Sequence, residues 1–148
     1  IAMREKGLCR FVGLSGHNRS LFPLLAKQGV FDIFHVRYNA AHRGAENEIF
    51  ADLLHEARPA VVSYKATRWG QLLNPKKMPP GEQPMRASDC YRFALSNPAV
   101  DVCMCGPRDT AQMREALRSL DLGPLDDNEL KRVLKIGDYV HAHSGKFF

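Results

Sequence analysis

Polar side chains stand directly after each of four short apolar runs in the sequence. The last run is followed by residues 106–110 (G-P-R-D-T), and Gln112 stands three residues after Asp109. Asp109 or Thr110 can cap a helix that starts here, and Gln112 has the spacing of a capping box. The N–H groups and positive dipole of a helix start, with an arginine beside them, suit a phosphate group. An ordinary helix start shows the same pattern, so both interpretations stay open.

The residues after the other apolar runs include types that can bind a flat, amide-bearing ligand. Tyr64 can stack under a planar ring or lie at the rim of the core. Ser15 and Asn39 can bind a carboxamide or cap a turn. The histidines near these runs have no acidic partner at a motif spacing, and His141 and His143 have no third ligand. The sequence therefore predicts a binding site without a metal ion or a catalytic histidine.

The elements that must position these residues are short strands and helices in alternation. The apolar runs at residues 9–14, 31–36, 60–64 and 99–104 are rich in β-branched, aromatic or sulfur-bearing side chains and predict strands. Their near-continuous apolar character is typical of strands covered on both faces. Helices are predicted at residues 19–28, 46–57, 87–95, 110–120 and about 127–136, and Met113, Leu117 and Leu120 share one face of the fourth.

This alternation predicts an α/β fold built from parallel β/α units, with all strand carboxyl ends at one edge. Four strands fit either a small open sheet or half of an eight-stranded barrel, which needs about 250 residues. In both cases the polar residues after the strands mark the expected site. The loop at residues 73–84 (L-N-P-K-K-M-P-P-G-E-Q-P) is either a surface excursion or a lid over that site.

The composition is that of one globular domain. The chain has 148 residues, a net charge of +5 and 45% hydrophobic residues, which argues against a wholly disordered chain. Its 21 Lys and Arg residues are scattered, so no nucleic-acid surface is predicted. No run of about 18 apolar residues and no apolar leader are found, so neither a membrane span nor a signal peptide is expected. Cys103 and Cys105 alternate in an apolar run, which predicts buried thiols and a cytoplasmic location.

Four segments, taken in order, resemble the C-terminal half of aldo-keto reductases, which are (β/α)₈ barrels that reduce carbonyl compounds with NADPH. Residues 5–15 (E-K-G-L-C-R-F-V-G-L-S) are similar to the family's fifth strand, and residues 31–39, which end in Y-N, to its sixth. Residues 61–73, with G-Q-L-L, are similar to the seventh strand, and residues 100–117, with Q-M-R-E-A-L, to the eighth. The resemblance implies that residues 1–148 form half of a TIM barrel, with a C-terminal helix at about 127–136.

By this resemblance, the chain carries much of a nicotinamide cofactor site. Ser15 would contact the carboxamide, Tyr64 would stack on the nicotinamide ring, and residues 65–72 would lie along the pyrophosphate. Residues 106–108, Gln112 and Glu115 would surround the adenosine and its 2′-phosphate. The implied cofactor is NADP, with NAD also possible, because Arg108 is the available cation for the 2′-phosphate. The predicted cofactor-binding residues are Ser15, Asn39, Tyr64, Gly70, Leu72, Gly106, Arg108, Gln112 and Glu115.

The family's acid–base residues belong to its first four strands, and no segment of this chain resembles that half. The resemblance therefore implies part of an NAD(P)H-dependent carbonyl reductase, which acts on a small carbonyl substrate as a whole barrel and is inactive as this chain alone. An open half exposes sheet edges, so the missing N-terminal half-barrel or a second copy is expected to cover them. The alternatives are a non-catalytic cofactor-binding or assembly module on the same fold and another phosphate-binding α/β barrel.

Overall fold

Four parallel strands form one sheet in the order β1-β2-β3-β4. The computed structural model describes residues 2–54 and 58–143. The strands are β1 (Gly13–Ser15), β2 (Ile33–Arg37), β3 (Ala60–Tyr64) and β4 (Val102–Cys103). The helices are α1 (Ala2–Glu5), α2 (Leu21–Ala26), α3 (Ala45–Glu48), α4 (Ala87–Leu95), α5 (Thr110–Leu122) and α6 (Asp127–His143). Three short 3₁₀ turns span Phe50–Leu53, Gln71–Leu73 and Pro75–Lys77. The α/β class with parallel strands is confirmed.

The sheet has one covered face and one open face. Leu14, Phe34 and Val61 lie in register across β1, β2 and β3, and the last two are fully buried. The core lies on this side, where a ring of α2 packs edge-on against Phe34. The alternate positions, which include Ser15 and His35, are half-buried or exposed. For the described residues, the prediction that both faces are covered is therefore wrong.

Two aspartates form hydrogen bonds and ion pairs at the amino ends of the strands. Asp32 precedes β2, pairs with Arg4 and accepts a backbone N–H at 2.7 Å. Asp101 precedes β4, accepts a backbone N–H at 2.6 Å and binds both terminal nitrogens of Arg58 at 2.6 and 2.9 Å. The accepted N–H groups belong to Val12 and Val61. The strands β1 and β4 start at Gly13 and Val102, after the predicted residues 9 and 99.

The helix predicted at residues 46–57 is not one regular helix. The short α3 is followed by Ile49, whose φ of −132° leaves the helical region, and then by a 3₁₀ turn. Ile49, Phe50 and Leu53 are all buried, so the predicted apolar face meets the core despite the break. Residues 55–57 of the prediction lie outside the described residues.

The remaining helices differ from their predictions mainly at their ends. The bounds of α4 agree with the predicted 87–95, whereas α2 is shorter than the predicted 19–28. The last helix, α6, runs to His143 rather than to residue 136, because Val140 continues the buried face formed by Val133 and Ile136.

Some apolar side chains of the described residues are exposed. Cys105 lies beyond β4 and is exposed, so the prediction that it is a buried strand thiol is wrong, while Cys103 is half-buried. Met113, Leu117 and Leu120 of α5 are 40%, 51% and 70% exposed. We call these three residues the α5 stripe. The helix packs instead on α4 through its other side, so the stripe faces outward.

The loop at residues 73–84 packs on α6 rather than over the strand ends. The carboxylate of Glu82 binds Nζ of Lys135 at 2.8 Å and Nε of Arg132 at 3.4 Å. Met78, in the same loop, is buried. The structure therefore favours a surface excursion over a lid. No helix of the described residues has the length and apolar character needed to cross a membrane.

Candidate functional site

The amino end of α5 is capped as the sequence predicts. Asp109 is the N-cap, and its carboxylate accepts the N–H of Gln112 at 2.8 Å. The side-chain oxygen of Gln112 accepts the N–H of Arg108 at 3.0 Å, which fixes the turn before the helix. The ion pairs among the described residues do not include Arg108. Its guanidinium is therefore available to an anion brought to this helix end.

A cavity of about 700 Å³ lies between this helix end, α4 and the loop at residues 65–70, which follows β3 and which we call the β3 loop. Five of the nine predicted cofactor-binding residues line it, namely Gly70, Gly106, Arg108, Gln112 and Glu115. A Cβ added to Gly106 would meet no atom of the described residues within 4 Å, so the backbone is open there. The structure thus brings together the residues from the β3 loop and from α5. A volume of this size can hold a large part of a dinucleotide.

The β3 loop reaches the cavity through an uncommon backbone path. Lys65, Arg68 and Trp69 have positive φ angles of 60°, 50° and 54°, and Gly70 follows at 78°. Side-chain-bearing residues in this region carry a conformational cost, and such strain concentrates at functional sites. The path places Trp69 on the cavity wall, 53% exposed, with Nζ of Lys65 4.0 Å from its ring centroid.

A buried polar network supports the β3 loop. The side chain of Asn39 is fully buried, donates to the carbonyl of Lys65 at 2.9 Å and accepts the N–H of Ala41 at 3.0 Å. Arg68 is 2% exposed, and its Nη1 donates to the carbonyl of Ala41 at 3.2 Å. Its Nε donates to the side-chain oxygen of Gln71 at 3.2 Å. Burial and the charge of Arg37 lower the pKa of Arg68. In this structure Asn39 positions the loop backbone.

The carboxylate of Glu115 is held on the cavity wall by α4. It accepts the hydroxyl of Ser88 at 2.7 Å and the backbone N–H of Ser88 at 3.4 Å. Arg118 donates to its other oxygen at 3.2 Å. The hydrogen bond from Ser88 is the main reason why the pKa of Glu115 is lowered. Glu115 is therefore ionised at neutral pH and joins α5 to the start of α4.

The other predicted residues lie apart from the cavity lining. Tyr64 ends β3 beside the β3 loop, and Nζ of Lys65 lies 5.6 Å from its ring centroid. Ser15 ends β1, two strands away, on the open face of the sheet. Leu72 is fully buried in the core. The nine residues thus form a cavity group, a group at the open face and two buried supports.

Sequence reasoning missed several residues of the cavity. Ala111 lies on the same helical face as Gln112 and Glu115, so the helical period was a usable signal for it. Tyr91 of α4 and Met85 also line the cavity, and no local pattern marks either. Burial raises the pKa of Tyr91 to about 12, so its hydroxyl stays protonated. In the part of the chain that the structure describes, no group of three or more His, Cys, Asp or Glu residues is placed to hold a metal ion.

Comparisons with known proteins find similarity in structure rather than in sequence. No protein-family model matches the sequence, and no curated protein matches it significantly. The aldo-keto reductase AKR11C1 from Bacillus halodurans is similar in its holo form and in its apo form, each with a TM-score of 0.71 and 15% sequence identity. Each match covers 91% of this chain, with 52% of the holo chain and 53% of the apo chain. This chain therefore spans about half the length of these structures, and its four-stranded parallel sheet matches part of the barrel fold of an aldo-keto reductase.

Proposed function

We propose that this chain is the cofactor-binding half of an NAD(P)H-dependent carbonyl reductase. The observation that supports this proposal is the cavity, which gathers five separately predicted residues from the β3 loop and α5. These residues come from the carboxyl ends of β3 and β4, where parallel α/β folds bind ligands. The whole protein would reduce an aldehyde or ketone to an alcohol, and the bound cofactor would supply the hydride.

The cavity offers separate groups for the phosphate and adenosine parts of the cofactor. Arg108 and the first N–H groups of α5 would bind a phosphate, and the open backbone at Gly106 would let it approach closely. Because Arg108 is an unpaired cation among the described residues, we favour NADP over NAD. Trp69 offers an aromatic wall of the same cavity.

Tyr64 would support the nicotinamide ring on the open face of the sheet. It lies at the end of β3, directly before the loop that lines the cavity. A cofactor whose phosphates lie at α5 would therefore reach Tyr64 along the β3 loop. Ser15, at the end of β1, would contact the carboxamide from the same face.

The other half of the barrel would supply the acid–base residues and cover the open surfaces. β1 and β4 each have one neighbouring strand among the described residues, and the α5 stripe is exposed. An N-terminal half-barrel fits these surfaces, and a second copy of this chain can cover them when that half is absent. The cytoplasm is the expected compartment for such a reductase.

The test is a titration of this chain with NADPH, followed by fluorescence of Trp69, the single tryptophan of the sequence. We expect saturable binding, weakened at least tenfold by Arg108→Ala and unchanged by Arg114→Ala, an exposed arginine of α5 outside the cavity lining. Equal effects of both variants, or no binding, would contradict the proposal.

A separate assay distinguishes the reductase from a non-catalytic module. This chain would be combined with the N-terminal half of an aldo-keto reductase barrel and assayed for oxidation of NADPH with an aromatic aldehyde. We expect turnover only with both halves present. Binding without turnover in an assembled barrel would instead support a cofactor-binding module.

A further inference from the structure

The strand positions on the open face of the sheet include one arginine, Arg37, and no acidic residue. These positions are Gly13, Ser15, Ile33, His35, Arg37, Ala60, Val62, Tyr64 and Val102. Arg37 lies directly in register with Tyr64, so the two side chains project from the same face of neighbouring strands. The position that we assign to the nicotinamide ring therefore has an arginine beside it.

Neither Arg37 nor Arg68 has a carboxylate partner among the ion pairs of the described residues. The charge of Arg37 contributes to lowering the pKa of both Arg68 and His42. Arg68 is buried, and its hydrogen bonds in the described chain go to neutral oxygens. A buried arginine and a half-buried arginine whose charges repel each other are stabilised by an anion that binds near them.

Three acidic side chains of α3 and α6 are bound to other residues. Glu48 binds Arg19 at 2.7 Å, and Asp138 binds Arg43. Glu46 accepts the hydroxyl of Tyr38 at 2.6 Å. None of the ion pairs among the described residues includes Arg37 or Arg68. The positive charge beside Tyr64 is therefore not balanced from within the described part of the chain.

We infer that the substrate is an anionic carbonyl compound, and that Arg37 is the specificity-determining residue that binds its carboxylate or phosphate group. The inference rests on the proposed function, because it places the substrate next to a nicotinamide ring on Tyr64. Arginine suits the role because its planar fork can bind two oxygens of a carboxylate or phosphate at once. The charge of Arg68, which is buried within the β3 loop, adds to the attraction.

The test measures binding of phenylglyoxylate, its neutral methyl ester and inorganic phosphate to the full 148-residue chain by calorimetry, with and without NADPH. We expect phenylglyoxylate to bind at least tenfold more tightly than the ester. Arg37→Gln should remove this difference, Arg37→Lys should restore part of it, and Arg114→Gln should leave it intact. Tighter binding of phosphate than of phenylglyoxylate would indicate a phosphorylated rather than a carboxylate substrate, with Arg37 in the same role.

Three results would overturn the inference. Equal binding of phenylglyoxylate and its ester would show that the face does not select anions. Equal effects of Arg37→Gln and Arg114→Gln would show only a general charge effect. If Arg37→Gln lost affinity for NADPH but still bound phenylglyoxylate more tightly than the ester, Arg37 would bind the cofactor rather than the substrate. Discrimination through Arg37 without any NADPH binding would support the anion site and contradict the proposed function.

Discussion

A Cβ placed on Gly137 of α6 would lie 2.2 Å from the carbonyl oxygen of Ala40 and 2.5 Å from its carbonyl carbon. The helix thus meets the backbone that follows β2 at the closest distance that glycine permits. This contact holds α6 against the segment that includes Asn39 and Ala41, and therefore against the network that supports the β3 loop.

Gly137→Ala should destabilise the protein by about 2 kcal/mol or more, because backbone atoms would have to shift. A Gly→Ala change inside a helix ordinarily stabilises the folded state by roughly 0.5–1 kcal/mol because alanine has the higher helix propensity. At Gly137 we expect the opposite effect, a loss of stability. Urea unfolding midpoints measure the effect. Lys131→Ala, at an exposed position of α6, is the control and should change little. A Gly137→Ala variant as stable as the wild type would refute the close contact.

Arg92→Ala should destabilise by at least about 2 kcal/mol, because Arg92 is buried and joins three parts of the chain. It binds both carboxylate oxygens of Glu129 at 2.8 and 2.6 Å and the carbonyls of Gly123 and Pro124 at 2.7 and 2.8 Å. Lys135→Ala removes a more exposed ion pair and should cost less than about 0.5 kcal/mol. Equal losses in the two variants would contradict the special role of Arg92.

The stability of the protein should fall with acid because of Glu129. Its pKa is lowered from 4.5 to about 2, mainly by the hydrogen bond from Arg92. A depressed carboxyl pKa stabilises the folded state above the unfolded value, and this contribution disappears as the pH falls from about 4.5 to 2. The free energy of unfolding measured over that range should show the loss. The slope should be smaller in Glu129→Gln, and an unchanged slope would exclude this carboxyl as its source.

His42 should add a second loss of stability on acidification, and this loss should begin at a higher pH than the loss from Glu129. Burial, followed by the charges of Arg68, Arg37 and His141, lowers its pKa from 6.5 to about 4. In the unfolded chain the imidazole is protonated below about pH 6.5, whereas in the folded chain it is protonated only below about pH 4. The free energy of unfolding therefore falls as the pH is lowered through that interval. Arg37→Gln should raise the pKa of His42, as measured by NMR titration of its ring protons. A pKa near 6.5 in the wild type would contradict the packing of this histidine.

The isolated chain should self-associate through its uncovered apolar surface. Met113, Leu117 and Leu120 form the exposed α5 stripe, and such a contiguous apolar surface favours association. Leu117→Glu with Leu120→Glu should reduce the mass measured by light scattering. Arg114→Glu with Asp121→Arg, at exposed positions of the same helix, is the control and should have little effect. A monomeric wild-type chain at high concentration would contradict this prediction.

The sequence predicts those features that depend on local spacing. Asp109 and Gln112 are three residues apart, and the cap that they form is present. The order of strands and helices follows equally from local periodicity. Arg37 and Tyr64 lie side by side because of the register between β2 and β3, and no local sequence pattern predicts that register. Arg68 is buried in a loop where three side-chain-bearing residues have positive φ angles, and the residue types there give no sign of them.

The same limit explains the errors at element ends. The early part of the 99–104 run is apolar enough for a strand, yet β4 begins only at Val102, after Asp101 has bound Val61 through both its side chain and its backbone N–H. Ile49, Phe50 and Leu53 have the spacing of one helical face and are buried, yet the helix breaks at Ile49, and no local pattern marks that break. Exposure of the α5 stripe depends on which face of the helix meets α4, and periodicity alone does not choose between faces.

The two aspartates at the amino ends of the strands bear on which positions of this protein can accept mutations. Asp32 and Asp101 repeat one arrangement, with a backbone N–H from the neighbouring strand and an arginine on each carboxylate. These hydrogen bonds and ion pairs lie at the amino ends of the strands, opposite the edge that carries the cavity. Mutations that alter ligand preference can accumulate at the carboxyl rim without disrupting them. The residues that can change ligand preference are therefore different from the residues that keep the sheet in register.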